Sequence, residues 1–318
     1  MRFPVTIVGG GALGTFFALC LTKAGFPVSL VARGKRLKQL RLDGLRFSDG
    51  DGDQRGVCTV SDEPVAAADA ALVILAVKSW QVEAVVAGLA GHLTPDAGVL
   101  TLQNGVDAPA QVAAVLPHNP VLAGGVHGFF SLDPDGVVRH AGVAPRLIAG
   151  VYAEGVASGG GALLMHLRSA FGAAAIACDI VDDIRTELWR KMMLACAVGG
   201  LGAAYDRPAG WLRTDVQARA DLVVLLGEVA AVARAAGASL GEEDVAANLA
   251  FIDRFPSEST TSMQRDIAAG RPSELDAQNG ALARWANRLG VPAPVNDRVL
   301  DEIGRRWNAF ARTEGESA

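Results

Sequence analysis

Among the residues that could do chemistry, the run Gly9-Gly10-Gly11-Ala12-Leu13-Gly14 comes first. Gly9, Gly11 and Gly14 fit the G-x-G-x-x-G spacing of a dinucleotide-binding turn. Gly9 permits the tight turn. Gly11 lets backbone N–H groups, including those of Ala12 and Leu13, approach a pyrophosphate. Gly14 lets helix and strand pack closely. The helix that follows adds positive potential at its N-terminus. The next apolar run ends at Arg33, followed by Gly34, Lys35 and Arg36, with no acid before Asp43. An NAD site places Asp or Glu there to accept from the ribose hydroxyl; Arg33 instead suits a 2′-phosphate. The expected cofactor is therefore NADP. The other reading of Arg33–Arg36 is a solvated basic loop.

Three further polar groups interrupt apolar surroundings. Lys78, in Val77-Lys78-Ser79-Trp80-Gln81, stands at the end of the strongest apolar run. Asn104, in Leu102-Gln103-Asn104-Gly105-Val106, ends the next one. Ligands of open α/β sheets bind at such carboxyl edges. Lys191 closes Arg185-Thr186-Glu187-Leu188-Trp189-Arg190-Lys191 and precedes the apolar run Met192–Val198. One reading is a surface pair of Glu187 with Lys191, four residues apart. The other is a lysine entering a buried environment, with a lowered pKa suited to proton transfer. Thr261-Ser262-Met263-Gln264-Arg265-Asp266 and Ser273-Glu274-Leu275-Asp276 read alone as a polar loop and a helix start.

The elements that must position these groups follow from periodicity. Val5–Val8, the glycine turn, a helix to Lys23 and the run Val28–Ala32 make a βαβ unit. Ala71–Val77, Val99–Leu102 and Val121–Ala123 are continuous apolar runs, as in a parallel sheet buried on both faces. Helical segments fall at Val82–Leu89 and Pro109–Leu116. Asp133-Pro134-Asp135-Gly136 is a turn that predicts an antiparallel addition, and Arg146–Val151 and Ala173–Cys178 are late strand candidates. After Asp182 the spacing is helical, over 183–203, 215–236, 242–254, 276–289 and 296–312, with Gly237 and Gly290 as C-caps. The expected organisation is a dinucleotide-binding α/β domain over 1–182 and an all-helical domain over 183–318.

Composition narrows the class. The 318 residues are 50% hydrophobic and 20% charged, enough for a sizeable core. A net charge of −5 argues against nucleic acid or an anionic membrane as partner. Residues 3–22 lack charge, but four glycines and Pro4 speak against a membrane helix. Cys20, Cys58, Cys178 and Cys196 are too scattered for a disulfide framework or a zinc site, which fits a reducing cytoplasm. His127 is read as structural, Cys196 as a small buried residue, Trp80 and Trp189 as packing anchors, and Leu222–Val232 as a core helix face.

Taken in order, GGGALG, VKSWQ, QNGVD, ELWRK, TSMQRD and SELDAQNG resemble the ketopantoate reductase (2-dehydropantoate 2-reductase) family over nearly the whole chain. The resemblance implies a Rossmann domain, a helical domain of the 6-phosphogluconate dehydrogenase type and a cleft between them. It implies reduction of a 2-oxo acid to a 2-hydroxy acid with NADPH, in a homodimer. Gly9, Gly11, Ala12, Leu13 and Gly14 would hold the pyrophosphate and Arg33 the 2′-phosphate. Lys78 and Gln81 would lie along the cofactor, with Lys78 also near the substrate. Asn104 would place nicotinamide and substrate, Ser262 would contact the substrate carboxylate, Glu274 would bond its polar groups, and Lys191 would be the general acid. The family's pocket asparagines are Ala195, Gly199 and Ala209 here, and its N-P-L-T is Gly199-Gly200-Leu201-Gly202. These replacements remove hydrogen bonds and are expected to open volume, so a bulkier, less polar 2-oxo acid competes with ketopantoate as the substrate. Two rivals stand: an NAD-dependent 2-hydroxyacid dehydrogenase working oxidatively, which Arg33 opposes, and a non-catalytic NADP-binding sensor, which Lys191, Ser262 and Glu274 together oppose.

Overall fold

The computed structural model describes residues 2–50, 52–152 and 160–315, and it divides into two compact units. The first comprises Met1–Gln103 and Ala108–Ile184, the second Asn104–Asp107 and Arg185–Ala318.

The first unit opens with β1 (Val5–Val8), α1 (Ala12–Lys23), β2 (Val28–Val31) and α2 (Gly34–Asp43). Then come β3 (Leu45–Asp49), β4 (Gly52–Gly56), β5 (Thr59–Ser61), β6 (Leu72–Leu75) and, after a 3-10 turn over Ser79–Gln81, α3 (Val82–Leu89). β7 (Gly98–Thr101), α4 (Ala108–Val115), β8 (Val121–Leu132), β9 (Val138–Val151), α5 (Gly160–Ala173) and β10 (Ala177–Ile180) complete it. The strands form one sheet in the order β4-β3-β9-β8-β7-β6-β1-β2-β5, with β10 on β9. β1 pairs in parallel with β2 on one side and β6 on the other, Ile7 opposite Leu30 and Ile74. The strand order therefore reverses between β1 and β6, the switch point where doubly wound sheets bind ligands. All four residues of β1, β6 and β7 are buried, as in a parallel sheet covered on both faces.

β8 and β9 are the antiparallel addition, much longer than the short runs read from sequence. The rival loop reading of Arg33–Arg36 and one strand boundary are corrected. Arg33–Arg36 is not a loop: Arg33 caps α2 with extended backbone, and Gly34 and Lys35 begin the helix. The strand expected over Ala173–Cys178 starts at Ala177, because α5 runs to Ala173 and a turn intervenes.

The second unit is helical, with no strand among the described residues. α6 (Ile184–Leu194) runs into a π-helical turn (Ala195–Gly200), then α7 (Leu201–Tyr205), α8 (Ala209–Thr214), α9 (Val216–Ala235), α10 (Glu242–Ile252) and α11 (Ser262–Ala268). A second π-helical turn (Asp276–Gly280) leads into α12 (Ala281–Leu289), and α13 (Pro294–Gly315) ends the described chain. α9 begins at an Asp215 cap whose carboxylate accepts from Gln217 N and Ala218 N. α12 stops at Gly290, which adopts a left-handed φ of 67°. Among the described residues no helix is long and apolar enough to cross a membrane.

Candidate active site

The candidate groups fall into two clusters, one in each unit. In the first unit, the glycine turn sits at the sheet's switch point. A Cβ on Gly9 would lie 2.6 Å from the Ala76 carbonyl, and one on Gly14 would lie 1.9 Å from Gly9 O. Both positions therefore exclude a side chain. A Cβ on Gly11 would meet nothing within 4 Å, so that face of the turn is open. α1 has no side-chain cap and no acid in its first turn, so its leading N–H groups face outward without an anionic partner of their own. An open face beside uncapped N–H groups fits a pyrophosphate.

Arg33 is exposed; its carbonyl accepts from Leu37 N at 3.3 Å, while its guanidinium makes no hydrogen bond or ion pair among the described residues. Arg36, its neighbour in sequence, is committed elsewhere. Its Nε donates to Gly10 O at 2.7 Å and its Nη2 to Thr15 Oγ1 at 2.9 Å. Burial holds its guanidinium below the ordinary arginine value, with Asp43 opposing. Arg36 is thus a brace for the glycine turn that sequence reasoning did not separate from Arg33. Its signal was there: Arg36 lies one helical turn past Arg33 on a stretch with only Leu37 and Leu40 buried.

At the end of β6, Lys78 is exposed and its Nζ lies 5.8 Å from the Trp80 ring centre. Gln81 Oε1 accepts from Lys78 N at 3.1 Å, so that end of the amide closes its own turn and only the NH2 end is left to meet a ligand. Gln103, which no sequence argument selected, donates to Leu75 O at 2.8 Å and Val77 O at 3.1 Å. It fixes the backbone leading into Lys78. Trp80 is 49% exposed and so is not the packing anchor expected, whereas Trp189 is 2% exposed and is one.

The second unit brings together Asn104, Lys191 and Glu274. Glu274 is buried, 6% exposed, and its Oε2 accepts from Asn104 Nδ2 at 3.0 Å. Those residues are 170 positions apart, and no spacing rule joins them. Lys191 retains partial solvent access but is densely surrounded by protein. Burial lowers its pKa to about 8, while the Glu274 charge acts to raise it. The expected alternative, a Glu187–Lys191 surface pair, does not form, because Glu187 pairs with Arg190, which also donates to Asp244 at 2.8 Å. Ser262 opens α11 and is exposed, behind a Thr261 cap that accepts from Gln264 N at 3.1 Å.

The two π-helical turns begin just after these groups, one four residues past Lys191 and the other two past Glu274. Such widened turns recur at functional sites. The buried Asn279 amide ties the second turn to the first and to α13. Asn279 Nδ2 donates to Asn296 Oδ1 at 2.9 Å and lies 3.4 Å from Cys196 O, while Asn296 Nδ2 donates to Asn279 O at 3.0 Å. Glu228, a buried acid in the apolar run Leu222–Val232, accepts from Val295 N and Asn296 N at 2.7 and 2.9 Å and so caps α13. Cys196 is fully buried and its thiol is pushed far up by burial, which makes it inert.

At Gly199 the expectation of opened volume is corrected. A Cβ there would lie 2.9 Å from Met263 Cε and 3.2 Å from Thr261 Oγ1, so the place of the missing asparagine is already filled, by an apolar methyl. Ala209 is 1% exposed and closely packed. Ala195 is half-buried. Gly200 has a different reason: its Cβ would lie 2.6 Å from Asn279 Nδ2. Because that amide is locked in the buried pair, Gly200→Ala is expected to destabilise the chain by about 1–3 kcal/mol despite alanine's better helix propensity. Urea unfolding checks this, and an unchanged or raised midpoint would contradict it.

Comparison with known proteins agrees with this picture. The model of "Ketopantoate reductase PanE/ApbA" matches residues 5–154, and that of its C-terminal domain matches 183–306. A 2-dehydropantoate 2-reductase of Mycobacterium tuberculosis is 33% identical over 302 residues, 94% of this chain and 96% of that protein. The crystal structure of a PanE/ApbA family ketopantoate reductase from Ralstonia eutropha JMP134 has a TM-score of 0.86 at 30% identity, covering 96% of this chain and 99% of that one. A ternary structure of D-mandelate dehydrogenase with NADH and anilino(oxo)acetate has a TM-score of 0.85 at 21% identity, covering 97% and 99%, a likeness that speaks for the fold. The chain is an oxidoreductase that belongs to the ketopantoate reductase family.

Proposed function

We propose that the protein reduces a 2-oxo acid to the 2-hydroxy acid with NADPH, with Lys191 as general acid. The observation that carries the reading is Lys191 itself, a half-buried amine with a pKa lowered to about 8 and the buried Glu274 acting on it. A lysine on an exposed helix would have neither feature.

The roles divide between the units. Gly9, Gly11, Ala12, Leu13 and Gly14 would hold the pyrophosphate on backbone N–H groups. Arg33 would pair with the 2′-phosphate, and Lys78 and the free end of Gln81 would line the dinucleotide. When bound, the reduced nicotinamide supplies the hydride that the ketone carbon accepts. Negative charge then develops on the carbonyl oxygen. Lys191, protonated, stabilises that charge and passes a proton from Nζ to the oxygen, leaving the neutral amine. Glu274 keeps the ammonium charged and aimed, and Asn104 fixes Glu274. Ser262 would meet the substrate carboxylate. Taken with the expected domains, residues 1–182 serve the cofactor and 183–318 the substrate and the homodimer, working in the cytoplasm.

The acid's tail is the open variable. With Ala195, Gly199 and Ala209 in place of amides and the Met263 methyl filling the place beside Gly199, that end of the substrate would find no carboxamide to bond. The site therefore fits ketopantoate less well than a 2-oxo acid with an apolar tail. Initial rates of NADPH oxidation with ketopantoate and with a panel of aliphatic and aromatic 2-oxo acids test both parts. Higher kcat/KM for an apolar 2-oxo acid supports the pocket reading. Ketopantoate alone turning over rapidly would overturn it, and no turnover of any 2-oxo acid would overturn the reductase reading.

A further inference from the structure

The segment Asn104–Asp107 is held at three points within the second unit. Asn104 donates to Glu274 at 3.0 Å. Gly105, at a φ of 106°, lies so close to the second π-helical turn that a Cβ on it would stand 2.4 Å from Ala277 O. Asp107 Oδ1 accepts the indole N–H of Trp285 at 2.8 Å, and Arg284 Nη2 lies 3.5 Å from Asp107 Oδ2. The same Trp285 ring meets Trp189 edge-on, with centroids 6.0 Å apart. Trp189 is buried on α6, two residues before Lys191. One side chain therefore touches both the loop that carries Glu274's donor and the helix that carries Lys191.

We propose that Asp107 and Trp285 are a positioning pair: the indole-to-carboxylate bond sets the reach of Asn104 to Glu274 and thereby the arrangement of Glu274 around Lys191. The inference rests on the reductase reading above for its catalytic consequence, though not for its geometry. Neither residue touches the reacting atoms. The indole bond is the part that positions. The Arg284 contact is longer and half-exposed, and Arg284 is already engaged by Asp276 at 2.6 Å, so it adds little. The ring is also fixed from outside by the Arg288 guanidinium, 4.8 Å from its centre. Freed from the indole, the loop would keep Gly105 on its carbonyl neighbour but lose the constraint on the direction of Asn104.

Two variants separate the bond from the packing. Trp285→Phe keeps an aromatic ring against Trp189 and Arg288 but has no N–H for Asp107. Asp107→Asn keeps an acceptor for the indole and loses only the charge toward Arg284. Each is measured with Asp107→Ala and wild type for kcat, NADPH affinity, unfolding midpoint and the titration of Lys191, read from 13C-lysine chemical shifts on the protein alone. Trp285→Phe and Asp107→Ala are expected to lose roughly ten- to a hundredfold in kcat with NADPH affinity unchanged. In both, the Lys191 titration is expected to move to lower pH, because the Glu274 charge no longer opposes the effect of burial. Asp107→Asn restores both readouts. A folded Trp285→Phe with wild-type kcat and titration would overturn the proposal, and so would a loss of kcat with an unmoved titration. Where Asp107→Ala fails to fold, Trp285→Phe decides, since it preserves the ring. The titration needs no substrate, so a wild-type protein inactive on every 2-oxo acid would remove the reductase reading and leave the pair to be judged by Lys191 alone.

Discussion

Lys191→Ala is expected to lower kcat for 2-oxo acid reduction by about two to four orders of magnitude, the range for removing a positioned general acid, while NADPH affinity stays within about twofold of wild type. The split follows from location. Lys191 lies in the helical unit beside Glu274, whereas the open glycine turn and Arg33 lie in the sheet unit. The pH profile gives the same claim a second check. Reduction needs the ammonium form, so kcat/KM is expected to fall as pH rises through about 8, where burial has placed the lysine. Oxidation of the 2-hydroxy acid needs the neutral amine and is expected to rise through the same pH. The Glu274 charge raises the Lys191 pKa against burial, so Glu274→Gln should move both limbs to lower pH. Steady-state rates between pH 6 and 10 measure all of this. Turnover of Lys191→Ala equal to wild type would end the assigned chemistry, and a reduction rate flat across that range would show that Lys191 is not the group that titrates.

The parts of the fold legible in sequence were those in which one physical term dominates. β1, β2, β6 and β7 lie in the sheet's covered interior, so their residues are mostly apolar, broken only by Thr6, Ser29 and Thr101, and the runs are visible. α2 escaped because only Leu37 and Leu40 of its ten residues are buried, leaving too faint a stripe. β3 and β4 form the sheet's edge, where Gly52–Gly56 is polar and largely exposed and carries no alternation. The break of α6 into a π-helical turn left no periodic trace, since Ala195–Gly200 is apolar whichever helical period it takes. The site divides in the same way. The glycine turn is local chemistry and can be read directly. Lys191 could be suspected from the apolar run behind it. Asn104 on Glu274 and Trp285 on Asp107 join residues 170 and 178 positions apart in the chain, and only the fold brings them together. Glu228 was discoverable, because a lone acid inside Leu222–Val232 has to find donors, and it finds the first N–H groups of α13.

Arg33→Ser is expected to weaken NADPH binding by roughly ten- to a hundredfold, equivalent to about 1.5–3 kcal/mol for hydrogen bonds to a charged group, and to leave NADH binding nearly unchanged. The argument turns on which arginine is available. Arg36 is spent on Gly10 O and Thr15 Oγ1, and its removal should loosen the glycine turn on which either cofactor would sit. Arg33 is exposed at the cap of α2, one residue past the end of the run Val28–Ala32. The 2′-phosphate is the one group that distinguishes the cofactors, so a change confined to NADPH assigns Arg33 to it. Arg36→Ser should instead weaken both cofactors together. Dissociation constants from quenching of tryptophan fluorescence, taken for both cofactors on both variants, give four numbers whose pattern decides. Equal losses for NADPH and NADH in Arg33→Ser would mean that Arg33 acts through α2 rather than on the phosphate. An unchanged NADPH affinity would move the selectivity to Lys35, the other exposed cation at the start of that helix.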